Sequence, residues 1–137
     1  MSKTIHLATG LIVDPITQRA LIVRKHSSPV FMQPGGKIEA GETAFEALRR
    51  ELIEEIGLTV TPDMVIPLGQ FTAPAANEAG HQVVAEVFYI EHSGPVEAQA
   101  EIAETKWVDP GHLPDIAIAP LSRFQLMPIA ANRLGLK

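Results

Sequence analysis

The sequence predicts one α/β (α+β) domain, residues 1–137, built of packed layers of strands and helices. The chain has 137 residues, close to the commonest size for one domain. Hydrophobic residues make up 46% and charged residues 20% of it, a balance typical of folded globular proteins. The predicted elements run strand, strand, helix, strands, helix. Because strands and helices do not alternate regularly, this order favours a layered α+β domain over a doubly wound parallel sheet.

The first two strands are predicted to form a hairpin. Residues 4–13 and 19–24 are rich in β-branched and apolar side chains, and the Asp14-Pro15 pair between them is a turn signal. The next segment, SSPVFMQPGGK, is predicted to be a loop, because its prolines and glycines interrupt regular structure and permit unusual backbone angles.

Residues 41–58, GETAFEALRRELIEEIGL, are predicted to contain the best-defined helix. Thr43 is the expected N-cap, Glu46 completes a capping box three residues later, and Gly57 is a C-terminal stop. Apolar side chains recur at helical spacing and predict a buried stripe of Phe45, Leu48, Leu52 and Ile56.

Three more strands and a last helix are predicted after Pro62. The strands are residues 65–72, 82–91 and Ile102–Val108. Residues 120–134 are expected to form the final helix. We expect Pro128 to kink or end this helix, because proline lacks the N–H of the helical ladder.

The composition excludes several kinds of chemistry and partner. The chain has no cysteine, so disulfides, thiolate metal sites and cysteine nucleophiles are excluded. Its net charge is −5 and its basic residues are scattered, which argues against a long nucleic acid as partner. No signal-peptide pattern is visible, and no run approaches the roughly 18 apolar residues of a membrane span. We therefore expect a cytoplasmic protein without a membrane partner.

The predicted helix carries a cluster of acids in RELIEEIG. Glu51, Glu54 and Glu55 share one side of the helix, where like charges repel unless solvent or a cation compensates. Hard divalent cations such as Mg²⁺ bind carboxylate oxygens together with water and substrate phosphates. Considered alone, the three glutamates are also compatible with an acidic helix face exposed to solvent.

Residues 36–58 match a longer pattern: glycine, five residues, glutamate, seven residues, then REUXEEXGU, where U is a bulky apolar residue. The matching positions are Gly36, Glu42, Arg50, Glu51, Leu52, Glu54, Glu55, Gly57 and Leu58. This pattern is the Nudix box. The chain therefore resembles the Nudix hydrolase superfamily, and PGGKIEAGE resembles its MutT-type branch. The resemblance implies a mixed sheet between helices and hydrolysis of a nucleoside diphosphate linked to another moiety, X.

The same resemblance implies a metal centre. Carried over by position, Glu51, Glu54 and Glu55 would be metal ligands, and one of them or a nearby glutamate would activate water. Metal ions held by carboxylates can screen phosphate charge and align the attacking water, so Mg²⁺ is the expected cofactor and Mn²⁺ a possible substitute. Arg50 belongs to this catalytic group, where we expect it to lie against a carboxylate and orient it.

Residues around the helix start complete the predicted site. Gly36 is expected to let the loop backbone approach the helix and the substrate closely. Glu42 stands at the helix start, where it either caps the helix or binds metal. The other candidate substrate-binding or loop residues are Gly35, Lys37 and Arg24.

One further metal ligand is expected from outside the box. The segment EIAETKWVD resembles the family segment that begins with such a glutamate and ends in a Trp-containing strand, so Glu101 is the first candidate and Glu104 the second. Glu86 alternates with apolar residues on one strand face, which can mark a site, although a wet strand edge explains it equally well.

Substrate choice is expected to depend on residues outside the box. Pro74 stands sixteen residues beyond Leu58, where ADP-ribose hydrolases tend to carry a proline, but the rest of that branch's loop pattern is absent. An 8-oxo-dGTP enzyme should offer an asparagine-like group before the last helix, where this chain has IAIA at residues 116–119. The remaining candidates to contact or gate X are Asn77, Glu78 and His81.

Two alternatives to a MutT-like nucleotide pyrophosphohydrolase stay open. One is an ADP-ribose or sugar-nucleotide pyrophosphatase, and the other is a noncatalytic nucleotide-binding regulator, against which the intact box argues. A Nudix-fold isomerase would need a catalytic cysteine, which this chain lacks. The expected partner is a small nucleotide derivative. By analogy with dimeric relatives, residues 83–90 are a candidate edge strand for a homodimer.

Overall fold

The computed structural model describes residues 3–75 and 80–135, and within them a mixed sheet has helical segments packed on both faces, as the sequence predicts. In chain order the elements are β1 Lys3–Asp14, β2 Arg19–Lys25, β3 Phe31–Met32, β4 Gly35–Lys37, α1 Ala44–Ile56, β5 Val65–Pro74, β6 His81–Glu91, β7 Ile102–Val108 and α2 Met127–Arg133. A 3₁₀ turn, Pro62–Met64, precedes β5, and a π-helical segment, Leu121–Leu126, leads into α2.

Strand β1 is the centre of the sheet. It pairs with β6 in parallel along nearly its whole length and with β4 antiparallel through Leu7, Ala8 and Thr9. The predicted hairpin between β1 and β2 is confirmed, but the two strands pair only at Val13 and Asp14. Strands β3 and β7 both pair with β2 rather than with β1. The divergence of β2 from β1 leaves space beside β1, and β4 occupies it.

The two faces of the sheet bury different helices. On β1, Leu11 and Val13 join a core with α2 and the π-helical segment, whereas Ala8 and Ile12 join a core with α1. This division follows from the strand geometry, in which successive side chains point to opposite faces. The sheet is therefore covered on both sides, which fixes α1 and the C-terminal helices relative to one another.

Helix α1 begins and ends where the sequence predicts. The Thr43 hydroxyl accepts a hydrogen bond from the Glu46 N–H at 3.1 Å, and the Glu46 carboxylate accepts one from the Thr43 N–H at 2.8 Å. Gly57 ends the helix in the left-handed conformation, with a φ of 68°. In the predicted apolar stripe, Phe45 is half-buried and lies edge-on to Phe88, while the other three side chains are fully buried.

The segment SSPVFMQPGGK contains two short strands, so its prediction as a loop was wrong in part. Phe31 and Met32 form β3, and Gly35, Gly36 and Lys37 form β4. Gly35 has a φ of 147°, and a Cβ atom there would collide with the carbonyl oxygen of Ala8. Strands of two and three residues interrupted by proline and glycine show no periodic pattern, and for this reason the sequence does not reveal them.

The C-terminal helix continues past Pro128, so of the two predicted outcomes, a kink or an end, the structure excludes the end. The Met127 N–H donates to the carbonyl of Ser122, five residues back, at the end of the π-helical segment. Helix α2 begins at Met127, so Pro128 lies in its first turn, where a missing N–H costs little. Among the described residues, no helix combines the length and apolar character that membrane crossing requires.

Residues 83–90 do not form an edge, contrary to the prediction. They belong to β6, which pairs with β1 on one side and with β5 on the other, so that β5 lies at this edge of the sheet. Whether a strand lies at an edge depends on strand order, which is decided by contacts between distant segments.

Arg50 ties the segment before α1 to the helix itself. Its Nε and Nη2 donate to the two carboxylate oxygens of Glu42 at 2.8 and 2.9 Å. Nη2 also donates to the carbonyl of Lys37 at 3.2 Å, and Nη1 lies 3.5 Å from Glu51 Oε2. The hydrogen bonds from Arg50 lower the pKa of Glu42 to about 2. One guanidinium therefore holds β4, the helix entrance and an acid of the box together.

Replacing Glu42 by glutamine should remove a pH-dependent contribution to stability. Because the pKa of Glu42 is lowered in the folded protein, this contribution is present above the ordinary value of 4.5 and disappears as the pH falls towards 2. The difference in melting temperature between wild type and E42Q should therefore be clear at pH 7 and vanish near pH 2.

The matched control is Glu97→Gln, because Glu97 is exposed and no ion pair of its side chain occurs in the described residues. A gap between wild type and E42Q that stays constant from pH 7 to pH 2 would contradict the assignment.

Candidate active site

A cavity of about 290 Å³ lies where β1, β4, α1, β6 and the π-helical segment approach one another. Part of its wall is charged, and these side chains are Lys25, Lys37, Glu39, Glu51, Glu55 and Glu101. Another part is apolar, and its side chains include Ile5, Leu7, Met32, Val83, Ala119 and Leu121. A volume of this size is at the lower end of the range of small-molecule sites.

The cavity brings together acids from two distant parts of the chain. Glu51 and Glu55 lie one helical turn apart on α1, and Glu101 directly precedes β7. Glu54 is exposed and is not among the lining residues, although its carboxyl group contacts that of Glu51. Helical geometry alone places the first two side by side, whereas the return of the chain at β7 is needed to add Glu101.

Burial and repulsion disfavour negative charge on the helix acids. Burial raises the pKa of Glu55 to about 8; the Gly35 N–H, which donates to its Oε1 at 3.0 Å, opposes this rise, and the charge of Glu51 adds to it. Burial also raises the pKa of Glu51, against the effect of Arg50 and with a further contribution from Glu54. The site therefore holds acids whose ionised forms need a compensating positive charge.

The backbone of β4 lies directly against the acids of α1, as the sequence predicts for Gly36. A Cβ atom at Gly36 would collide with the carboxylate of Glu51. The neighbouring Gly35 uses its N–H to hold Glu55. Any side chain at position 36 would have to displace the carboxylate of Glu51, so glycine is the residue that leaves this carboxylate in place.

Lys25, rather than the predicted Arg24, is the β2 cation in the cavity wall. Lys25 Nζ lies 3.7 Å from Glu101 Oε1. Arg24 is absent from the lining, and its Nε instead donates to Glu104 Oε1 at 3.3 Å while its Nη1 donates to the carbonyl of Ser28 at 3.1 Å. Arg24 is held outside the cavity wall by these partners, whereas Lys25 lines it.

Four other predicted residues lie outside the cavity wall. Glu42 and Arg50 pair with each other, and the helix is capped by Thr43 rather than by Glu42. Glu86 of β6 accepts a hydrogen bond at 3.2 Å from Nε2 of Gln70, its cross-strand partner on β5. Glu104 was the second candidate for a metal ligand from outside the box, and it accepts a hydrogen bond from Arg24 Nε.

Some of the residues that were predicted to determine substrate specificity line the cavity, and others do not. Pro74 and Ala119 line it, and His81 does not. Asn77 and Glu78 lie outside the described residues.

The prediction missed five polar or charged residues of the cavity wall. Lys25 could have been found from strand alternation with the buried Val23. The others, which lack a local sequence signal, are Thr9, Gln33, Glu39 and Ser122.

Comparison with known proteins places these features in a family. A model described as NUDIX domain matches residues 4–127. The chain is 32% identical over 120 residues to an ADP-ribose pyrophosphatase of Methanocaldococcus jannaschii, an alignment that covers 82% of this chain and 69% of that protein. It is 45% identical over 64 residues to an 8-oxo-dGTP diphosphatase of Proteus vulgaris, covering 43% of this chain and 55% of that protein.

Solved structures agree on the fold. The structure of the E. coli dihydroneopterin triphosphate pyrophosphohydrolase has a TM-score of 0.76, covers 96% of this chain and 99% of its own, and is 18% identical. At that identity the likeness concerns the fold alone. The family match covers most of the chain and includes the acidic helix and the glycine strand. The chain therefore belongs to the NUDIX domain family, that is, to the Nudix hydrolases.

Proposed function

We propose that the protein is a Mg²⁺-dependent hydrolase that cleaves the diphosphate linkage of a nucleoside diphosphate joined to another moiety, X. One observation carries the proposal: Glu51, Glu55 and Glu101 line the same cavity, whose remaining wall is largely apolar and neutral. A pocket lined by both acids and apolar side chains suits a ligand with a diphosphate and a base.

The residues of the cavity fit a hard divalent cation, the kind of cofactor that Nudix hydrolases generally use. Burial and repulsion raise the pKa of Glu51 and Glu55, and a bound cation would relieve both effects. Among the described residues, no three histidine, aspartate or glutamate side chains form a closed ligand set. Mg²⁺ often binds through one or two carboxylates and completes its shell with water and substrate phosphates. When bound, it would screen phosphate charge and lower the pKa of the attacking water.

The chain itself would supply orientation and proton transfer. The Gly35 N–H holds Glu55, and Arg50, fixed by Glu42, restrains Glu51. One of the carboxylates of Glu51, Glu55 and Glu101 accepts a proton from the attacking water as the water oxygen bonds to phosphorus. The bond from that phosphorus to the bridging oxygen breaks, and two phosphate-bearing products leave. Lys25 contributes positive charge at the same wall.

The names of the relatives limit the class of substrate but do not single out one substrate within it. One relative is an ADP-ribose pyrophosphatase and another an 8-oxo-dGTP diphosphatase. Pro74 in the cavity wall is compatible with the first, whereas Ala119 offers no polar group for the second. A nucleoside diphosphate derivative is the class that these observations share.

The two alternatives are not favoured. Because the relatives carry different substrate names, nothing singles out ADP-ribose or a sugar nucleotide. A noncatalytic regulator does not require buried acids aimed at a shared cavity, since such acids destabilise a fold unless they have a function.

Hydrolysis should require the acids of the helix. A panel of dNTPs, oxidised dNTPs, ADP-ribose, NADH, sugar nucleotides and dinucleoside polyphosphates, tested with Mg²⁺ or Mn²⁺, should yield at least one substrate. Glu51 and Glu55 line the cavity, and Glu54 contacts Glu51. Replacing any of the three by glutamine keeps the shape and removes the charge, and should lower kcat/KM for that substrate on the order of 10²-fold or more.

The control variant for this panel is Glu97→Gln, which should retain wild-type kcat/KM because Glu97 is exposed and is not among the lining residues. Full activity in both E54Q and E55Q, or full activity after removal of all divalent ions, would exclude the proposed centre.

Glu55 should make the metal-free protein less stable as the pH rises. Its pKa is raised from 4.5 to about 8, so between these values the folded state holds a proton that the unfolded state has released. Stability should therefore fall from about pH 4.5 to about pH 8, and the melting temperature of E55Q should fall less over this range in the presence of chelator.

Mg²⁺ binds the ionised form, so at pH 8 it should raise the melting temperature of wild type more than that of E55Q. Parallel pH profiles for the two proteins, together with equal responses to Mg²⁺, would refute the role given to Glu55.

A methyl group at position 36 should disturb the acids without disturbing the core. Gly36→Ala should lower kcat/KM about tenfold or more, because the new Cβ must displace Glu51. Gly10→Ala is the matched control, since a Cβ there would have its nearest neighbours at 3.4–3.5 Å, which is ordinary contact. Equal activity of G36A and G10A would show that the close approach is dispensable.

A further inference from the structure

Residues 97–101, which we call the capping segment, lie between β6 and β7 and close the C-terminal end of α1. The Gln99 N–H donates to the carbonyl of Glu55 at 2.9 Å, and the Glu97 N–H donates to the carbonyl of Ile56 at 3.4 Å. The last carbonyls of a helix have no partner within the helix, so the capping segment supplies donors that α1 itself lacks. The capping segment is therefore joined to the backbone of a residue whose carboxyl group lines the cavity.

Ala100, within the capping segment, adopts a backbone conformation that residues other than glycine rarely use. Its φ is 52°, in a turn where the Ile102 N–H donates to the Gln99 carbonyl at 2.9 Å. A Cβ atom makes a positive φ unfavourable, above all in β-branched residues. Such a conformation persists only where its surroundings impose it, and strained residues of this kind are concentrated at functional sites. The residue that follows Ala100 is Glu101, an acid of the cavity wall.

The backbone, more than the side chain, fixes the position of Glu101. Its carbonyl accepts a hydrogen bond from the His26 N–H at 3.0 Å, which ties the end of the capping segment to the end of β2. Its carboxyl group lies 3.7 Å from Lys25 Nζ, but the side chains of Lys25 and Glu101 are 37% and 57% exposed, and such ion pairs contribute little. Burial is the main cause of the raised pKa of Glu51 and Glu55, and the charge of Glu101 adds to it. The path of the backbone therefore decides how close Glu101 lies to the helix acids.

We infer that Gln99 and Ala100 are positioning residues, which hold Glu101 against the helix acids so that these carboxylates can bind the same cation. The inference rests on the proposed function. Gln99 joins the backbone of Glu55 to the capping segment, and the turn at Ala100 directs Glu101 to the cavity. Neither positioning residue lines the cavity, so both act through Glu101 rather than on the cation or the substrate.

The Mn²⁺ affinity of the nucleotide-free protein tests the inference without relying on turnover. Ala100→Val should weaken Mn²⁺ binding about tenfold, because a β-branched residue resists the positive φ and displaces Glu101. Ala100→Gly accepts this φ freely and should keep the wild-type affinity. The effect should also depend on Glu101: in a Glu101→Gln background, Ala100→Val should change Mn²⁺ affinity by less than about twofold. A residue that only supports the fold would weaken binding equally in both backgrounds.

Gln18→Val is the matched control for backbone strain. Gln18 also has a positive φ, 59°, but it lies in the turn between β1 and β2 and does not line the cavity. Gln18→Val should lower the melting temperature, as Ala100→Val does, and leave the Mn²⁺ affinity unchanged. If Ala100→Val does not fold, Gln99→Pro takes its place, because proline removes the N–H that binds the Glu55 carbonyl. Gln99→Pro should weaken Mn²⁺ binding with the same dependence on Glu101.

Wild-type Mn²⁺ affinity in Ala100→Val, or an equal loss of affinity with and without the Glu101 carboxylate, overturns the inference. Either result, combined with nucleotide hydrolysis by the wild type, would reject the positioning role and keep the proposed function. A loss of affinity that depends on Glu101, without hydrolysis of any nucleotide, would keep the positioning role and reject the proposed function.

Discussion

The contact on which the site depends is that between the glycine backbone of β4 and the acidic side of α1. Gly36 leaves no side chain between the strand and Glu51, and the Gly35 N–H donates to Glu55. Both acids are thereby held at a fixed distance from the sheet, in a place where burial disfavours their charge. Arg50 closes the arrangement by binding Glu42, Lys37 and Glu51 from one guanidinium. Removing water from these groups is costly, and that cost is what a cation would offset.

The sheet makes this contact possible by being incompletely paired. Strands β1 and β2 share only two residue pairs, so β4 can lie against β1, while β7 pairs with β2 and brings Glu101 to the cavity. The same divergence exposes carbonyls of β1 and β2 to Gln33, whose amide bridges them. One irregularity in the sheet therefore brings both acidic and neutral side chains to the cavity. Binding sites are commonly placed where regular structure is interrupted on a rigid scaffold.

Local patterns predicted most of the regular structure and failed where the pattern was short or the decision was not local. The capping box of Thr43 and Glu46 and the stop at Gly57 are correct because each depends on residues within one helical turn. Strands β3 and β4 escaped detection because two or three residues carry no periodicity. The position of residues 83–90 was wrong because strand order, not strand sequence, decides which strand lies at an edge. Pro128 does not end the last helix, because its effect depends on where the α-helix begins.

By itself the sequence determined the family and the acids of the helix, since spacing along one helix fixes which side chains share a side. It also predicted the close approach of the Gly36 backbone to the helix, through its place in the box. Only the tertiary structure decided that Glu54 stays outside the cavity wall, that Lys25 replaces Arg24, and that Glu101 joins the acids. Likewise, only the folded chain unites Thr9, Gln33 and Ser122. The physical reason is that these groups come from segments far apart in the chain, and their meeting depends on strand pairing and burial rather than on local periodicity.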